Sequence, residues 1–193
     1  MEIAIIGTGF IGGTLGRALA RSGHHVTFGS RHPGDDDVAT GLSASVATPA
    51  DALAAADVVI LALPGAAVTE FAADNDDELR GKLVIDATNN MREPVTNSRA
   101  SLPPGVRYAR AFNTLGGENI ADPVFGDGPA DMFFSAAEAD RSVVEAVIDG
   151  VGLRPVYVGP DQEQVIDCLF RLWIALAVTQ GRGRRLALRL LER

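Results

Sequence analysis

A glycine-rich motif of six residues constrains the fold of this chain more than any other feature. It consists of Gly7, Thr8, Gly9, Phe10, Ile11 and Gly12. The motif follows an apolar run of strand length, residues 2–6, and opens a segment with helical spacing, residues 10–22. In this context G-x-G-x-x-G predicts a tight turn at Gly7, an approach of a pyrophosphate to the backbone at Gly9, and close helix–strand packing at Gly12. The alternative is a strand-to-helix turn that binds no ligand.

Strand and helix patterns alternate along the whole chain, which predicts an α/β fold with a doubly wound parallel sheet of the Rossmann type. Further strands are predicted at residues 25–29, 44–47, 57–63, 82–87, 106–112, 131–136 and 154–158. Further helices are predicted at residues 49–56, 66–73, 138–151, 161–179 and 184–191. We therefore expect a single domain, residues 1–193, with a dinucleotide-binding core at 1–160 and C-terminal helices at 161–193.

The residues after the second predicted strand indicate which dinucleotide fits. An NAD site usually has an acid there to accept the ribose hydroxyls, whereas this chain has Ser30, Arg31 and His32. Ser30 can donate to a 2′-phosphate, and the Arg31 guanidinium can bind it with paired N–H groups. NADP(H) is therefore the predicted cofactor. Arg31 as a solvated surface charge is the alternative, and the nearby acidic run at residues 35–37 opposes a phosphate.

Three further strand ends are expected at the nicotinamide side, because ligands of open α/β sheets lie at the carboxyl ends of the strands. Leu63 and Pro64 would form an apolar wall, while Asn89 and Asn113 would bind the carboxamide or cap their own loops. Asp86 is expected to accept local backbone N–H groups, and the alternative is that it is a functional acid. No catalytic side chain is predicted, since hydride transfer requires orientation and exclusion of water rather than a nucleophile.

Composition excludes several classes of function. The 193 residues carry 17 basic and 25 acidic side chains, a net charge of −8 that disfavours binding to nucleic acid. One cysteine, Cys168, and three clustered histidines without a ligand motif predict no metal site. The longest apolar stretch, residues 172–178, is far below the ~20 residues that a membrane span needs. We expect a soluble, cytoplasmic protein that does not bind membranes.

The chain resembles the family of NADP oxidoreductases that depend on the deazaflavin coenzyme F420, and the reductase domain of six-transmembrane metalloreductases. The resemblance rests on the glycine motif, on Gly29-Ser30-Arg31, and on the segments 61–64, 84–89, 110–114, 119–123 and 172–174. It implies an NADPH-binding domain with a small C-terminal helical part, often paired as a dimer. We expect an NADPH-dependent oxidoreductase that transfers a hydride between NADP(H) and a planar acceptor, coenzyme F420. An NADPH-dependent flavin or ferric reductase and a non-catalytic NADPH-binding redox sensor are the alternatives. The family often has a further basic residue where this chain has residues 35–37.

The C-terminal segment predicts a homodimer. Leu169, Leu172, Trp173 and Leu176 form an apolar helical face, which we expect at or beside a twofold contact. The alternative is a monomer that buries Trp173 in its own core, and Cys168 is expected to pack inside this helix. An arginine cluster follows, and it either complements local acids or attracts an acidic acceptor tail; its members are Arg182, Arg184, Arg185 and Arg189.

Overall fold

The structure is a computed structural model that describes residues 1–90, 97–126 and 128–193. Within these ranges an eight-stranded sheet has the order β10-β9-β6-β5-β4-β1-β2-β3, and β7 and β8 form a separate hairpin. The strands are β1 Glu2–Ile6, β2 His25–Gly29, β3 Ala44–Ala47, β4 Val58–Leu61, β5 Leu83–Asp86, β6 Arg107–Arg110, β7 Val124–Phe125, β8 Gly128–Pro129, β9 Asp131–Ala136 and β10 Arg154–Tyr157.

Helices cover both faces of the sheet. They are α1 Phe10–Arg21, α2 Pro49–Ala55, α3 Val68–Asp74, α4 Asp76–Leu79, α5 Gly117–Ala121, α6 Arg141–Val151 and α7 Glu163–Ile174. A π-helical turn, Ala175–Thr179, extends α7. α4 lies where no helix was predicted, and three acids in its first turn favour that helix electrostatically. Among the described residues, no helix combines the length and the apolar character needed to cross a bilayer.

The order of the strands places a switch point beside β1. The chain runs from β1 through β2 to β3 in one direction, then returns to β4 on the other side of β1 and continues through β5 to β6. These six strands are parallel, as predicted. β9, however, pairs antiparallel with β6, and β10 pairs parallel with β9. The sheet is therefore mostly parallel and not parallel throughout.

Apolar packing fixes the centre of the sheet. Every residue of β4 is buried, as is expected of a strand covered on both faces. One cluster includes Leu15 and Leu19 from α1 with Phe28 from β2, and a second includes Leu53 from α2 with Val68 from α3. The two clusters lie on opposite faces of the sheet and hold the helices that frame its carboxyl edge.

The predicted helix at residues 184–191 is wrong, because this segment forms neither helix nor strand. Its backbone carbonyl groups bind side chains of the body instead of one another. Asn119 Nδ2 donates to the carbonyl oxygens of Arg184 and Leu186, both at 2.9 Å. Trp173 Nε1 donates to Leu186 O at 2.7 Å, and Arg154 Nη2 donates to Leu190 O at 2.7 Å. Tertiary contacts therefore override the local helical pattern.

Candidate functional site

The residues predicted to bind a cofactor lie along one edge of the sheet, the carboxyl ends of five adjacent strands. The edge carries the turn 7–12 after β1, Ser30, Arg31 and His32 after β2, Leu63 and Pro64 after β4, Asn89 after β5, and Asn113 after β6. Their positions agree with the rule that ligands of doubly wound sheets bind at the switch point. The six residues 91–96 and residue 127 lie outside the described part of the chain.

The glycine motif has the geometry of a tight strand-to-helix turn. Gly7 has φ of 110°, and a Cβ there would lie 2.7 Å from Ala62 O. A Cβ at Gly12 would lie 1.9 Å from Gly7 O, so only glycine lets α1 approach the strand end this closely. At Gly9 no heavy atom of the described residues lies within 4 Å of a Cβ position. The turn is closed at Gly7 and Gly12 and open at Gly9.

The helix that follows the open position offers an anion-binding end. Gly9 precedes the first residue of α1, and the first turn of that helix contains no acidic residue. The N–H groups of a first helical turn lack partners within the helix, and the helix dipole adds partial positive charge there. A pyrophosphate above Gly9 would accept hydrogen bonds from these groups without a charged side chain.

The strand-end loops at the other side of the edge are joined to one another. A Cβ at Gly65, just after Pro64, would lie 3.0 Å from Asn90 N, so the loops after β4 and β5 are in contact. Asn89 Nδ2 donates to Asn113 O at 3.0 Å and links the loops after β5 and β6. The predicted nicotinamide-side residues are therefore close together, and Asn89 has a structural hydrogen bond of the kind that loop capping predicts.

Asn113 is the exception among the buried polar side chains of this edge. Its residue is 1% exposed, yet within the described part of the chain neither Nδ2 nor Oδ1 has a hydrogen-bond partner. The preceding residue, Phe112, is buried with φ of 63°, a left-handed conformation that costs a non-glycine residue on the order of 1–3 kcal/mol. Buried amides are nearly always paired, so a strained turn that presents an unpaired one indicates a ligand site.

The end of β2 carries both a predicted phosphate ligand and a competing acid. Ser30 is buried, and its Oγ accepts a hydrogen bond from His32 N at 3.2 Å, while the side chains of Arg31 and His32 are exposed. Hydrogen bonding from the Thr8 side chain, with smaller contributions from Val38 N and Ser30, holds the pKa of Asp36 below its usual range. Asp36 is therefore ionised at this end of the site. The sequence shows an acidic run at residues 35–37, but it does not indicate which of the three carboxylates lies near Thr8.

A buried charged cluster, not predicted from the sequence, supports the β5 and β6 ends. Arg110 is fully buried, and its Nη2 and Nε donate to Asp167 Oδ1 of α7 at 2.8 and 3.0 Å. Its Nη1 donates to the carbonyl oxygens of Asp86 and Thr88, and its Nη2 also donates to Asn89 Oδ1 at 3.2 Å. Arg110 thus fixes α7 and Asn89 relative to each other. Arg110 lies within a predicted strand, and nothing in the sequence indicates that its side chain is buried or that it binds α7.

Asp86 accepts as many hydrogen bonds as a carboxylate can use. Oδ1 accepts from Thr88 N and Thr88 Oγ1 at 2.9 and 2.6 Å, and Oδ2 accepts from Ser98 N and Tyr108 OH at 2.8 and 2.7 Å. Burial, reinforced by the Asp86 charge, raises the pKa of Tyr108, so its hydroxyl keeps the proton that it donates. The expectation that Asp86 accepts local N–H groups is confirmed, and this carboxylate is committed to structure.

The helical C-terminal part covers the β6 side of the edge. Trp173 is 2% exposed and stacks with Phe170 at 6.4 Å, so the alternative of a tryptophan buried in its own chain is correct for this residue. Cys168 is exposed, so the expectation that it packs inside the helix is wrong. Arg184 pairs with Glu118, whose pKa the Arg184 hydrogen bond lowers, and lies over the Trp173 ring at 5.6 Å.

The described residues contain no group of three or more His, Cys, Asp or Glu side chains that could hold a metal ion. The groups present along the edge are backbone N–H groups, hydroxyls, amides and apolar walls. This arrangement can bind and orient an elongated ligand that has an anion at one end and a hydrogen-bonding amide at the other.

Two solved structures establish the fold by comparison. A candidate F420-dependent NADP reductase of Arthrobacter sp. FB24 superposes with a TM-score of 0.79 at 24% identity, over all of both chains. A hypothetical protein of Sinorhizobium meliloti superposes with a TM-score of 0.72 at 27% identity, over all of this chain and 96% of the other. Both likenesses extend through α7, so the C-terminal part shares the common architecture.

A curated relative and a family match complete the comparison. The chain is 24% identical over 170 residues to the 2-hydroxy-3-oxopropionate reductase of Escherichia coli, covering 82% of this chain and 55% of that protein. It therefore spans about half the length of the curated relative. Residues 2–90, which include β1 to β5, match the family described as NADP oxidoreductase, coenzyme F420-dependent.

Proposed function

We propose that the chain is an oxidoreductase that binds NADP(H) along the carboxyl edge of the sheet and transfers a hydride between it and deazaflavin coenzyme F420. One observation carries the proposal: the open glycine turn and the unpaired amide of Asn113 lie on the same edge. A dinucleotide needs an anion site and, further along, a hydrogen-bonding site for its carboxamide. The match to the F420-dependent family and the likeness to a candidate F420-dependent NADP reductase support the same assignment.

Different residues of the edge would bind different parts of the dinucleotide. The first-turn N–H groups of α1 would hold the pyrophosphate, and Ser30 with Arg31 would hold the 2′-phosphate. Leu63 and Pro64 would form the apolar wall, and Asn113 would hydrogen-bond the carboxamide. Bound NADPH supplies the hydride, so the chain needs only to orient the two rings about 3–3.5 Å apart and exclude water.

Coenzyme F420 as the acceptor rests on the family and on the charge of the adjoining segment. Arg182 and Arg185 are exposed beside the loop after β6. Arg184, which lies between them and pairs with Glu118, has its carbonyl oxygen 3.4 Å from the position of a Cβ at Gly116. The phosphate- and glutamate-bearing tail of F420 is acidic, and on a chain of net charge −8 a local basic segment would attract it. A neutral acceptor would gain nothing from these arginines.

The acceptor is tested by following NADPH oxidation with F420, FMN, a ferric chelate, a quinone and 2-hydroxy-3-oxopropionate in parallel. We expect turnover to be fastest with F420. Faster turnover with FMN or the ferric chelate would make the protein a flavin or ferric reductase, and turnover only with the hydroxy-oxo acid would align it with the curated relative. NADPH binding without turnover on any acceptor would contradict the enzyme and favour a redox sensor.

The cofactor is tested by titrating NADPH and NADH into the unmutated protein, Arg31→Ala and Arg21→Ala. Charged hydrogen bonds contribute about 1.5–3 kcal/mol, so Arg31→Ala should reduce the preference for NADPH about tenfold or more. Arg21 is an equally exposed arginine at the far end of α1 and serves as the matched control. Equal affinities of the unmutated protein for the two cofactors would contradict the assignment of NADP(H).

We also propose that the protein is a homodimer formed through α7. Val165 and Leu172 are 44% and 45% exposed on one side of that helix, and Leu169 lies half-buried between them. An apolar stripe of this kind can pair with its own copy about a twofold axis. Sedimentation should give a dimer for the unmutated protein and a folded monomer for Leu172→Arg, with Leu191→Arg, at the exposed end of the chain, as control. A monomeric unmutated protein would contradict the dimer.

A further inference from the structure

The strained turn after β6, residues 112–114, depends on contacts with neighbouring strands. Phe112 is buried with φ of 63°, a conformation that persists only where the surrounding structure enforces it. β6 ends at Arg110, which is paired with Ser135 of β9 in the antiparallel ladder between these strands. The turn follows the end of that ladder, so we examined which side chains hold it in place.

The sulfur atom of Met132, on β9, holds the turn from one side. The Phe112 N–H donates to Met132 Sδ at an N···S distance of 3.1 Å, and Thr114 Oγ1 lies 3.8 Å from the same sulfur as a second donor. All three residues are buried. A thioether is a weak acceptor, but a buried N–H without any acceptor carries a desolvation cost. Met132 therefore satisfies a donor on each side of Asn113.

The side chain of Asn89, just after β5, holds the middle residue of the turn. Its Nδ2 donates to Asn113 O at 3.0 Å, and its Oδ1 accepts from Arg110 Nη2 at 3.2 Å. Because a guanidinium only donates and a carbonyl only accepts, these two contacts fix the orientation of the Asn89 amide. Met132 and Asn89 together contact all three residues of the turn, yet the Asn113 side chain keeps no partner among the described residues.

We propose that Met132 and Asn89 are positioning residues, which hold the turn so that the Asn113 amide is preformed for the nicotinamide carboxamide of the cofactor. The inference rests on the proposed dinucleotide site. A group that is already fixed in its binding conformation loses less freedom when the ligand binds, so the ligand is held more tightly. The effect is confined to the nicotinamide end, since the pyrophosphate is assigned to the turn at residues 7–12.

The test compares NADPH with 2′-phospho-ADP-ribose, which has the same phosphates but no nicotinamide. Both are titrated calorimetrically into the unmutated protein and Met132→Leu, a substitution that keeps the approximate volume and removes the sulfur. Met132→Leu should weaken NADPH binding about three- to tenfold and change binding of the fragment by less than about twofold. Ile148→Leu, in α6 and buried in the same core cluster, is the matched control and should alter neither affinity.

A second variant, Asn89→Asp, tests the other contact independently. An ionised aspartate still accepts from Arg110 but cannot donate to Asn113 O, so the same selective loss of NADPH affinity is expected. Thermal unfolding checks that each variant is folded. In either variant, an equal effect on both ligands, or none on either, overturns the positioning role of the replaced residue and leaves the dinucleotide site standing. Failure of the folded, unmutated protein to bind NADPH overturns the site, and the positioning roles with it.

Discussion

Two sets of polar groups at the carboxyl edge differ in whether they have partners in the protein. Beneath the ends of β5 and β6, Arg110, Asp86 and Asp167 are buried and form hydrogen bonds with one another's loops and helices. Along the same edge, the turn at Gly9 is open. The side chain of Asn113 is buried there without a partner among the described residues. The first set is complete without a ligand, and the second is not.

This contrast distinguishes structural polar residues from ligand-binding ones. A buried charge without a partner is strongly destabilising, so a charged cluster as complete as that of Arg110 is explained by its own contacts. A buried amide without partners carries a desolvation cost that only a bound group or water would offset. We therefore infer that Arg110 and its carboxylates stabilise the fold, whereas Gly9 and Asn113 contribute to binding of a ligand.

The largest effect is expected from Arg110→Met. The change leaves two buried carboxylates without their cation, which should lower the free energy of unfolding by about 3–5 kcal/mol. Denaturant titration measures it. Arg80→Met is the matched control, because the Arg80 pair with Asp76 is exposed and should leave the midpoint almost unchanged. Equal midpoints for the two variants would show that the charged cluster does not stabilise the fold.

A smaller loss of stability is expected from Gly12→Ala. The added Cβ would meet Gly7 O, and relieving such overpacking costs about 1–3 kcal/mol or more. Gly34→Ala, where no heavy atom of the described residues lies within 4 Å of the Cβ position, is the control and should unfold like the unmutated protein. If Gly12→Ala were equally stable, α1 would not pack on the strand end as described.

Asn113→Leu should separate binding from stability. Leucine has a similar size and no polar atoms, so the free energy of unfolding should stay the same or rise, while NADPH affinity should fall about three- to tenfold. Asn119→Leu is the control, since Asn119 is equally buried but donates to two carbonyl oxygens of the C-terminal segment. That variant should lose stability instead. A loss of stability in Asn113→Leu would show that this amide stabilises the fold and would contradict its assignment to ligand binding.

The strands and the turn around the glycine motif can be predicted from the sequence, because the signals that specify them are local. The bounds of β1, β2 and β3 match the predicted strands, and the left-handed Gly7 follows directly from the motif. The irregular conformation of residues 184–191 and the antiparallel pairing of β9 could not be predicted this way, since distant partners determine both. Asp36 lies within a run of three aspartates, and only the structure shows that it is half-buried and accepts a hydrogen bond from Val38 N.

NADPH binding to the variant Gly9→Ala tests most directly whether the glycine turn is the cofactor site. In the structure a Cβ at Gly9 enters open space with no neighbouring atom from the described residues, and φ of −68° suits alanine. We expect an unfolding midpoint equal to that of the unmutated protein and NADPH affinity reduced about tenfold or more, because the methyl group would occupy the pyrophosphate position. Calorimetric titration showing unchanged NADPH affinity in this folded variant would contradict the assignment of the turn as the cofactor site.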